Sequence, residues 1–314
     1  MTTKIIRGLT NITRKNQGAV VAIGNFDGVH LGHQAILKKI RKEALERNVP
    51  SMVITFEPQP LEFFSDENMV PRITRFREKF HEFSRQKIDQ VLVLRFNKAF
   101  ADLSAEDFVN KVLFEKLAIS KIFVGADFHF GAKRLGDVNF LKERGKALNF
   151  AVEITEDIQY EGERISSTGV RKALQIDDQS RVRHLLGRTY AMMGRVVYGD
   201  QRGRILGFPT ANIYLHRRAT PVMGIYVVKV KGLGENPLLG VANIGTRPTF
   251  GGTRILLEVH IFDFNKNIYG KNVSVEFLKK LRDEAYYPSV DLLKAQINQD
   301  AIDAKAYFKD EDEA

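Results

Sequence analysis

The first half of the chain alternates short apolar runs with longer stretches in which apolar residues recur every three or four positions. The short runs have the length of buried strands, and the longer stretches have the period of amphipathic helices. Ser104, with Asp107 three residues on, forms a capping pair at the start of one such helix. The predicted strands are 20–23, 52–55, 91–94, 122–124 and 152–155, and the predicted helices include 34–47 and 105–117.

Strands that alternate with helices predict a doubly wound α/β domain, in which a parallel sheet carries helices on both faces. Ligands of such sheets bind beyond the carboxyl ends of the strands. The turn that follows Ile23 is therefore where we first expect a site.

From about residue 187 the pattern changes to short β-like runs separated by Gly, Pro and Asn. The runs at 194–197, 225–230, 255–262 and 273–277 predict a closed antiparallel barrel. Apolar residues three or four apart then predict a last helix, followed by a frayed acidic tail over 309–314. The apolar residues of that helix are Val290, Leu293, Ile297, Ala301, Ala304 and Phe308.

The length of 314 residues exceeds what one hydrophobic core usually organises, which favours two domains. The polar stretch 175–183 is the predicted linker, so the predicted domains are 1–183 and 184–314. An apolar content of 44% with 27% charged residues is typical of a soluble globular protein. No apolar run reaches the roughly eighteen residues of a membrane span, and the opening residues lack the apolar core of a signal peptide. We therefore expect a cytoplasmic protein with no membrane partner.

Cysteine is absent, which excludes disulfides, thiolate metal sites and thiol nucleophiles. The net charge of +10 suits either a nucleic-acid partner or sites that attract polyphosphates. Lys and Arg often stand beside Asp or Glu, as at 41–43, and such mixing favours an ordinary solvated surface. We therefore expect no nucleic-acid partner.

Residues 24–33 read GNFDGVHLGH and lie between a predicted strand and a predicted helix. Glycines permit a tight turn and a close approach of backbone to phosphate, and a helix N-terminus attracts anions. His30 and His33, three apart, face the same way and could donate hydrogen bonds to a phosphate that gains charge. Metal binding and plain helix capping are the alternatives, although no Cys or acidic cluster completes a ligand set nearby.

Two further motifs fall where the same sheet would present them, and the first of them follows a predicted strand. Residues 124–131 read VGADFHFG, and residues 165–171 read ISSTGVR, which places hydroxyls and a guanidinium at a helix start. That combination binds anions, although Ser and Thr at a helix start are often plain caps.

In the second half, residues 203–212 read GRILGFPTAN and residues 240–249 read GVANIGTRPT. Along the strand 255–262 the apolar residues point one way, which leaves Glu258 and His260 on the opposite face. Glu258 is therefore either a solvent-facing residue or a placed base. Thr210 and Asn212, taken alone, suit turn chemistry after Pro209.

The histidine motif at 30–33, HLGH, and the serine motif at 165–171, ISSTGVR, together resemble the paired signatures of adenylyl-transferring nucleotidyltransferases. With residues 55–60, TFEPQP, and the 124–131 motif, the chain resembles the FAD synthetase module of prokaryotic bifunctional riboflavin kinase/FAD synthetases. The resemblance implies that the phosphate of FMN attacks the α-phosphorus of ATP and that pyrophosphate leaves. By motif match, the nucleotide site comprises Gly24, Asn25, Phe26, Gly32 and Asp127, the phosphate-binding pair is His30 and His33, and the pyrophosphate site is Ser166, Thr168 and Arg171.

The second half resembles the riboflavin kinase module of the same family, whose fold is a six-stranded antiparallel barrel with a terminal helix. The resemblance implies that Glu258 takes the proton of the ribityl 5′-hydroxyl as it attacks the γ-phosphate of ATP. Thr210 and Asn212 would hold Mg²⁺, and Gly203 and Gly207 would let a loop close over the phosphates. Arg282 matches a position that meets the flavin. No P-loop or G-x-G-x-x-G occurs, so the kinase assignment depends on the barrel motif.

The expected enzyme thus uses ATP and a divalent cation to convert riboflavin to FMN and FMN to FAD. Val170 and the pair at 132–133 depart mildly from the family pattern, which bears on affinity rather than on chemistry. Two alternatives stay open, namely a nucleotidyltransferase with another acceptor and a flavin-responsive or RNA-binding regulator without turnover. The pattern leaves the oligomeric state open.

Overall fold

A computed structural model describes residues 2–64, 70–199, 203, 207–217, 219–249 and 252–313. Contacts divide the chain into two compact units. The first comprises Met1–Val70 and Thr74–Ser167, and the second comprises Pro71–Ile73 and Thr168–Ala314. The predicted boundary between residues 183 and 184 stays a prediction.

The first unit is built on six parallel strands in the order β1, β4, β3, β2, β5, β6. The five predicted strands are present, each within one residue at either end. β1 was not predicted, because it has only 4 residues and buries just one of them, which is too short a pattern to indicate a strand. The strands are β1 (Lys4–Arg7), β2 (Val20–Ile23), β3 (Ser51–Phe56), β4 (Gln90–Leu94), β5 (Lys121–Gly125) and β6 (Ala151–Thr155); a small hairpin follows, with β7 (Gln159–Tyr160) and β8 (Glu163–Arg164).

Alternate residues of the central strand enter two separate cores, which confirms the doubly wound prediction. Val21 and Ile23 pack with Phe108 and Val112 on one face of the sheet, whereas Val20 and Ala22 pack on the other. The helices of this unit are α1 (Leu31–Glu46), α2 (Pro60–Phe64), α3 (Phe76–Arg85), α4 (Lys98–Ala101), α5 (Ala105–Asp107) and α6 (Val138–Leu148).

The predicted helix at 105–117 begins as expected but changes its winding. The amide of Asp107 donates to the hydroxyl of Ser104 over 3.0 Å, which confirms the predicted cap. After α5 the chain continues as a π-helix over Phe108–Lys116.

The strand order reverses beside β2. The chain runs from β2 outward through β3 and β4, and then returns to the other side of β2 to form β5 and β6. Two successive connections therefore leave the sheet in opposite directions, and a crevice opens at the carboxyl ends of β2 and β5. The residues after Ile23 and those after Gly125 both begin at this edge.

The second unit contains a closed barrel of six antiparallel strands, as predicted, in the order β10, β13, β12, β11, β14, β9. β10 and β12 were not predicted, because β10 has only 4 residues, the polar Asn212 among them, and Gly and Pro interrupt the apolar pattern of β12. The strands are β9 (Ala191–Val197), β10 (Ala211–Tyr214), β11 (Gly224–Lys231), β12 (Leu238–Thr249), β13 (Gly252–Ile261) and β14 (Asn272–Arg282).

Among the described residues of the second unit, three helices accompany the barrel, namely α7 (Ser167–Gln175), α8 (Gln179–Leu186) and α9 (Val290–Glu313). Most of the predicted linker is therefore helical, and the predicted fraying after residue 309 is wrong, since α9 continues to Glu313. Ala304 and Phe308 of α9 pack on Ile225 and Val227, on the outer face of the barrel. Among the residues that the structure describes, no helix is long and apolar enough to cross a membrane.

The contact of α9 with the barrel predicts a stability effect. Phe308 is 5% exposed, so Phe308→Ala should lower the free energy of opening of β11 and β12 by about 3 kcal/mol. Hydrogen exchange of the barrel peptides, followed by mass spectrometry, measures it. Ile302 lies on the same helix but is 52% exposed, and Ile302→Ala should cost less than about 0.5 kcal/mol. Equal losses in the two variants would contradict this packing.

Candidate active sites

The first candidate site begins in the loop between β2 and α1. Phe26, Gly28 and Val29 adopt left-handed backbone angles, with φ of 49°, 82° and 42°. Such angles are unfavourable for Phe and Val, so other contacts must hold the loop in this shape.

Those contacts come from a residue far along the chain. The buried carboxylate of Asp27 accepts the Thr74 amide at 2.9 Å, and the Thr74 hydroxyl accepts the Gly28 amide at 2.7 Å. The Ser167 hydroxyl donates to the Asp27 carbonyl at 2.8 Å, which brings the 165–167 segment to the same loop. The loop is thus fixed from two sides.

The two predicted histidines lie together at the start of α1. Their rings stack with centroids 3.7 Å apart, and the amide of His33 donates to Nδ1 of His30 over 3.4 Å. His30 therefore caps the helix, which was one of the alternatives given for it from the sequence, and its ring also stacks on that of His33. A Cβ at Gly32 would lie 3.2 Å from the His30 ring, so the glycine makes room for this stack.

His33 is held in its neutral form. Burial lowers the pKa of His33 well below its ordinary value, and Coulombic interactions with His30, Lys79 and Arg164 lower it further. Its Nδ1 atom is buried and has no hydrogen-bond partner among the described residues. A neutral imidazole at a helix N-terminus can donate one hydrogen bond to an anion without carrying a charge of its own.

A fully buried ammonium group lies behind the loop. The Nζ atom of Lys79, in α3, donates to the carbonyl of Asn25 at 3.1 Å and lies 3.5 Å from a carboxylate oxygen of Glu57. The hydroxyl of Thr55 reaches the same carbonyl at 3.5 Å. Lys79 therefore joins α3 to the segments that follow β2 and β3, and it places positive charge beneath the predicted nucleotide site.

Some of the other residues predicted for this site also lie near the start of α1. Gly24, Asn25 and Phe26 form the loop, and the Phe26 ring lies 5.0 Å from that of His33. Ser166 follows Ile165, whose carbonyl lies 3.5 Å from the position of a Gly32 Cβ.

Asp127 follows β5, and its carboxylate pairs with Arg164 at 3.0 Å. This hydrogen bond lowers the pKa of the Asp127 carboxyl. Thr168 and Arg171 lie in the first turns of α7, beyond the first unit, and their part in the site stays a prediction.

The second candidate site lies on the outer face of the barrel. Residues directly opposite one another on antiparallel strands share a face. Glu258 of β13 is opposite Asn212 of β10 on one side and opposite Asn243 of β12 on the other. In turn, Asn243 is opposite Ile225 of β11, which is opposite Arg282 of β14. The barrel thus aligns one row across five strands, which we call the outer row: Asn212, Glu258, Asn243, Ile225 and Arg282.

The residues before β10 close over one end of the outer row. The ring of His260 contacts the carbonyl of Pro209 at 2.9 Å. A Cβ at Gly199 would overlap the buried amide of Asn212, and one at Gly203 would lie 3.1 Å from the Thr210 hydroxyl. Gly207 has a φ of 90°. The predicted Gly203, Gly207, Thr210 and Asn212 therefore belong to one local structure, whereas Arg204, Ile205 and Leu206 of the same motif lie outside the described residues.

The donor set at this end suits a hard cation that also binds phosphate. It offers the amide oxygen of Asn212 and the hydroxyl of Thr210, and the carboxylate of Glu258 lies on the adjoining strand. Within the described ranges there is no group of three or more His, Cys, Asp or Glu side chains that could hold a metal alone. A cation here would need further ligands from phosphate or water, as Mg²⁺ does with nucleotides.

Arg282, at the far end of the outer row, is tied to α9. Its guanidinium forms two parallel bonds to the buried carboxylate of Asp300, at 2.8 and 2.7 Å, and a third to the carbonyl of Asp283 at 2.9 Å. Three of its nitrogen atoms therefore already donate to protein acceptors. The predicted contact of Arg282 with flavin stays a prediction.

Sequence reasoning missed Thr74, Lys79, Arg164 and Asn243. Thr74 lies just before α3 and Lys79 lies within it, and this helix carries no recognisable motif. Thr74 contacts Gly28, which is 46 residues away in the sequence. Asn243 lies inside a quoted motif, and only the register of β12 reveals that it adjoins Glu258.

Both halves of the chain match sequence models of known families. Residues 12–169 match the FAD synthetase family, and residues 186–308 match the riboflavin kinase family. Each match coincides with one of the two candidate sites.

Whole proteins show the same similarity. The bifunctional riboflavin kinase/FMN adenylyltransferase of Escherichia coli K12 is 47% identical over 97% of this chain and 98% of its own length. The protein of the same name from Haemophilus influenzae is 45% identical over 97% of this chain and 99% of its own. The crystal structure of a macrolide-efflux protein from Streptococcus pneumoniae matches with a TM-score of 0.79 and 31% identity, over 96% of this chain and 97% of that one. The fold of both units therefore occurs in a solved structure.

The charge of Lys79 predicts a change in the titration of His33. Lys79→Met removes a positive charge that opposes protonation, so the pKa of His33 should rise, and Lys79→Arg should leave it low. NMR titration of the His33 ring measures this. Lys42→Met is the matched control, since that side chain is 79% exposed. An unchanged His33 pKa in Lys79→Met would contradict the electrostatic link.

Proposed function

Because the chain belongs to the family of bifunctional riboflavin kinase/FMN adenylyltransferases, we propose that it makes FMN at the outer row of its barrel and FAD at the β2–α1 loop of its parallel-sheet unit. Two observations support the proposal, namely the stack of His30 on His33 at the start of α1 and the pairing of Glu258 with Asn212 across β13 and β10. ATP is the co-substrate of both reactions.

In the kinase reaction, the 5′-hydroxyl of riboflavin attacks the γ-phosphorus of ATP. The new O–P bond forms as the bond to the β-phosphate oxygen breaks, and ADP leaves. Glu258 accepts the hydroxyl proton, which suits a carboxylate on the accessible face of β13, beside Asn212. Supporting this role, its neighbours Leu257 and Val259 are fully buried and face the barrel interior.

Thr210 and Asn212 would hold Mg²⁺ at the phosphate end of the outer row. The cation, when bound, offsets the negative charge of the ATP phosphates. The glycines at 199 and 203 leave the room that the Asn212 amide and Thr210 hydroxyl occupy.

In the adenylyl transfer, a phosphate oxygen of FMN attacks the α-phosphorus of ATP. The bond between the α- and β-phosphates breaks, and pyrophosphate leaves with the electron pair. No covalent nucleophile is needed, so rate depends on positioning and charge stabilisation. Neutral His33, His30 and the N-terminus of α1 supply hydrogen-bond donors to the phosphates, and Ser166, Thr168 and Arg171 receive the pyrophosphate.

Asp127 is proposed to lie near the adenosine or flavin end, and Arg282 to meet the flavin in the barrel. We further propose a domain boundary between residues 183 and 184, a cytoplasmic location, and action on small molecules rather than on nucleic acid or membranes. The interspersed acidic and basic residues support the last point.

Replacement of the base separates the two activities. Glu258→Gln keeps the shape of the side chain but removes the proton acceptor, so FMN formation from riboflavin should fall by about 100-fold or more. FAD formation from supplied FMN should be unchanged, and chromatography of the flavins measures both. Loss of both activities together, in a folded protein, would contradict separate sites.

Replacement of a histidine should do the reverse. His33→Gln or His30→Ala removes a group that stabilises charge on the phosphates, so kcat for FAD formation from FMN should fall by about 100-fold. FMN formation in the same protein serves as the internal control. Normal FAD output from both variants would remove the histidines from the chemistry.

A further inference from the structure

The amide of Asn243 is an unexplained polar group in the outer row. Its Oδ1 atom is buried and has no hydrogen-bond partner among the residues that the structure describes. A buried acceptor without a donor is costly, and native proteins rarely keep one unless a ligand or water completes it.

The position of Asn243 indicates which ligand completes it. Neighbouring strands lie about 4.8 Å apart, so Asn243 is one step from Glu258 in the direction of Arg282, and Asn212 is one step in the other direction. On the proposed function, phosphate lies at the Asn212 end and the reacting hydroxyl lies at Glu258. The rest of the acceptor molecule must then leave Glu258 away from the phosphates, across β12.

The surroundings of Asn243 on β12 offer little else to a polar ligand. Val241 and Gly245 flank it on the same face, and neither side chain can form a hydrogen bond. A Cβ at Gly245 would overlap the carboxylate of Glu284, so a second polar group lies beyond the glycine. Asn243 is thus the polar group of β12 nearest to the base.

We infer that the Asn243 amide accepts a hydrogen bond from a secondary hydroxyl of the ribityl chain, and so places the 5′-hydroxyl against Glu258. The residue is a positioning and specificity residue, because it touches the polyol and not the reacting atoms. The bond forms without any change of covalent structure. This inference rests on the proposed kinase function.

A comparison of two flavins tests the inference. Lumiflavin has the ring of riboflavin but a methyl group in place of the ribityl chain. Asn243→Leu should weaken riboflavin binding by about tenfold, the usual effect of one lost hydrogen bond, and leave lumiflavin binding unchanged. Flavin fluorescence titration of the full chain measures both affinities. Steady-state kinetics should show a higher KM for riboflavin together with a lower kcat, because the 5′-hydroxyl is held less well against Glu258, and KM for ATP should be unchanged.

Asn236→Leu is the matched control, since Asn236 is exposed in the turn between β11 and β12 and should alter neither affinity. If Asn243→Leu does not fold, Asn243→Ser gives a smaller change at the same position, and retained lumiflavin binding reports an intact barrel. Equal weakening of both flavins, a change in KM for ATP instead, or unaltered riboflavin affinity would each overturn the inference. Failure of the proposed function itself is distinguishable, because the unmodified chain would then form no FMN.

Discussion

Hydrogen bonding between the backbones of paired strands is the constraint on which both sites depend. In the parallel unit it aligns the carboxyl ends of β2 and β5, so that the loops after them meet at one edge. In the barrel it fixes which residues are opposite one another, and thereby aligns Asn212, Glu258 and Asn243. A slip of one residue in β13 would turn Glu258 into the apolar interior.

The two units offer chemically different groups for binding phosphate. On the proposed function, the first binds phosphate with backbone amides and the rings of His30 and His33, and its loop is held in place through Asp27, Thr74 and the buried ammonium of Lys79. On the same proposal, the second binds phosphate through a cation held by the amide oxygen of Asn212 and the hydroxyl of Thr210. An anionic acceptor such as FMN suits the first site, and a neutral hydroxyl acceptor that needs a base suits the second.

Much of the fold and part of the sites could be predicted from the sequence. The central strands of the parallel sheet are continuous apolar runs, and Glu258 stands out because alternation along β13 separates it from the apolar face. β12 could not be predicted, since Gly240, Asn243, Gly245 and Pro248 interrupt it and only pairing with two neighbours makes it a strand.

Contacts between distant segments were equally inaccessible. Lys79 meets Asn25 across 54 residues, and nothing near Lys79 in the chain marks it as buried or as part of a site. That His30 and His33 face the same way followed from their spacing, whereas the stacking of their rings and the lowered pKa of His33 depend on burial and on neighbouring elements.

The central claim is that one chain uses two different phosphorus atoms of ATP at two sites. Incubation of the full chain with riboflavin and ATP, radiolabelled on either the α- or the γ-phosphate, tests it most directly. The account predicts the γ-label in FMN and both labels in FAD. The absence of the α-label from every flavin product, or of the γ-label from FMN, would contradict it.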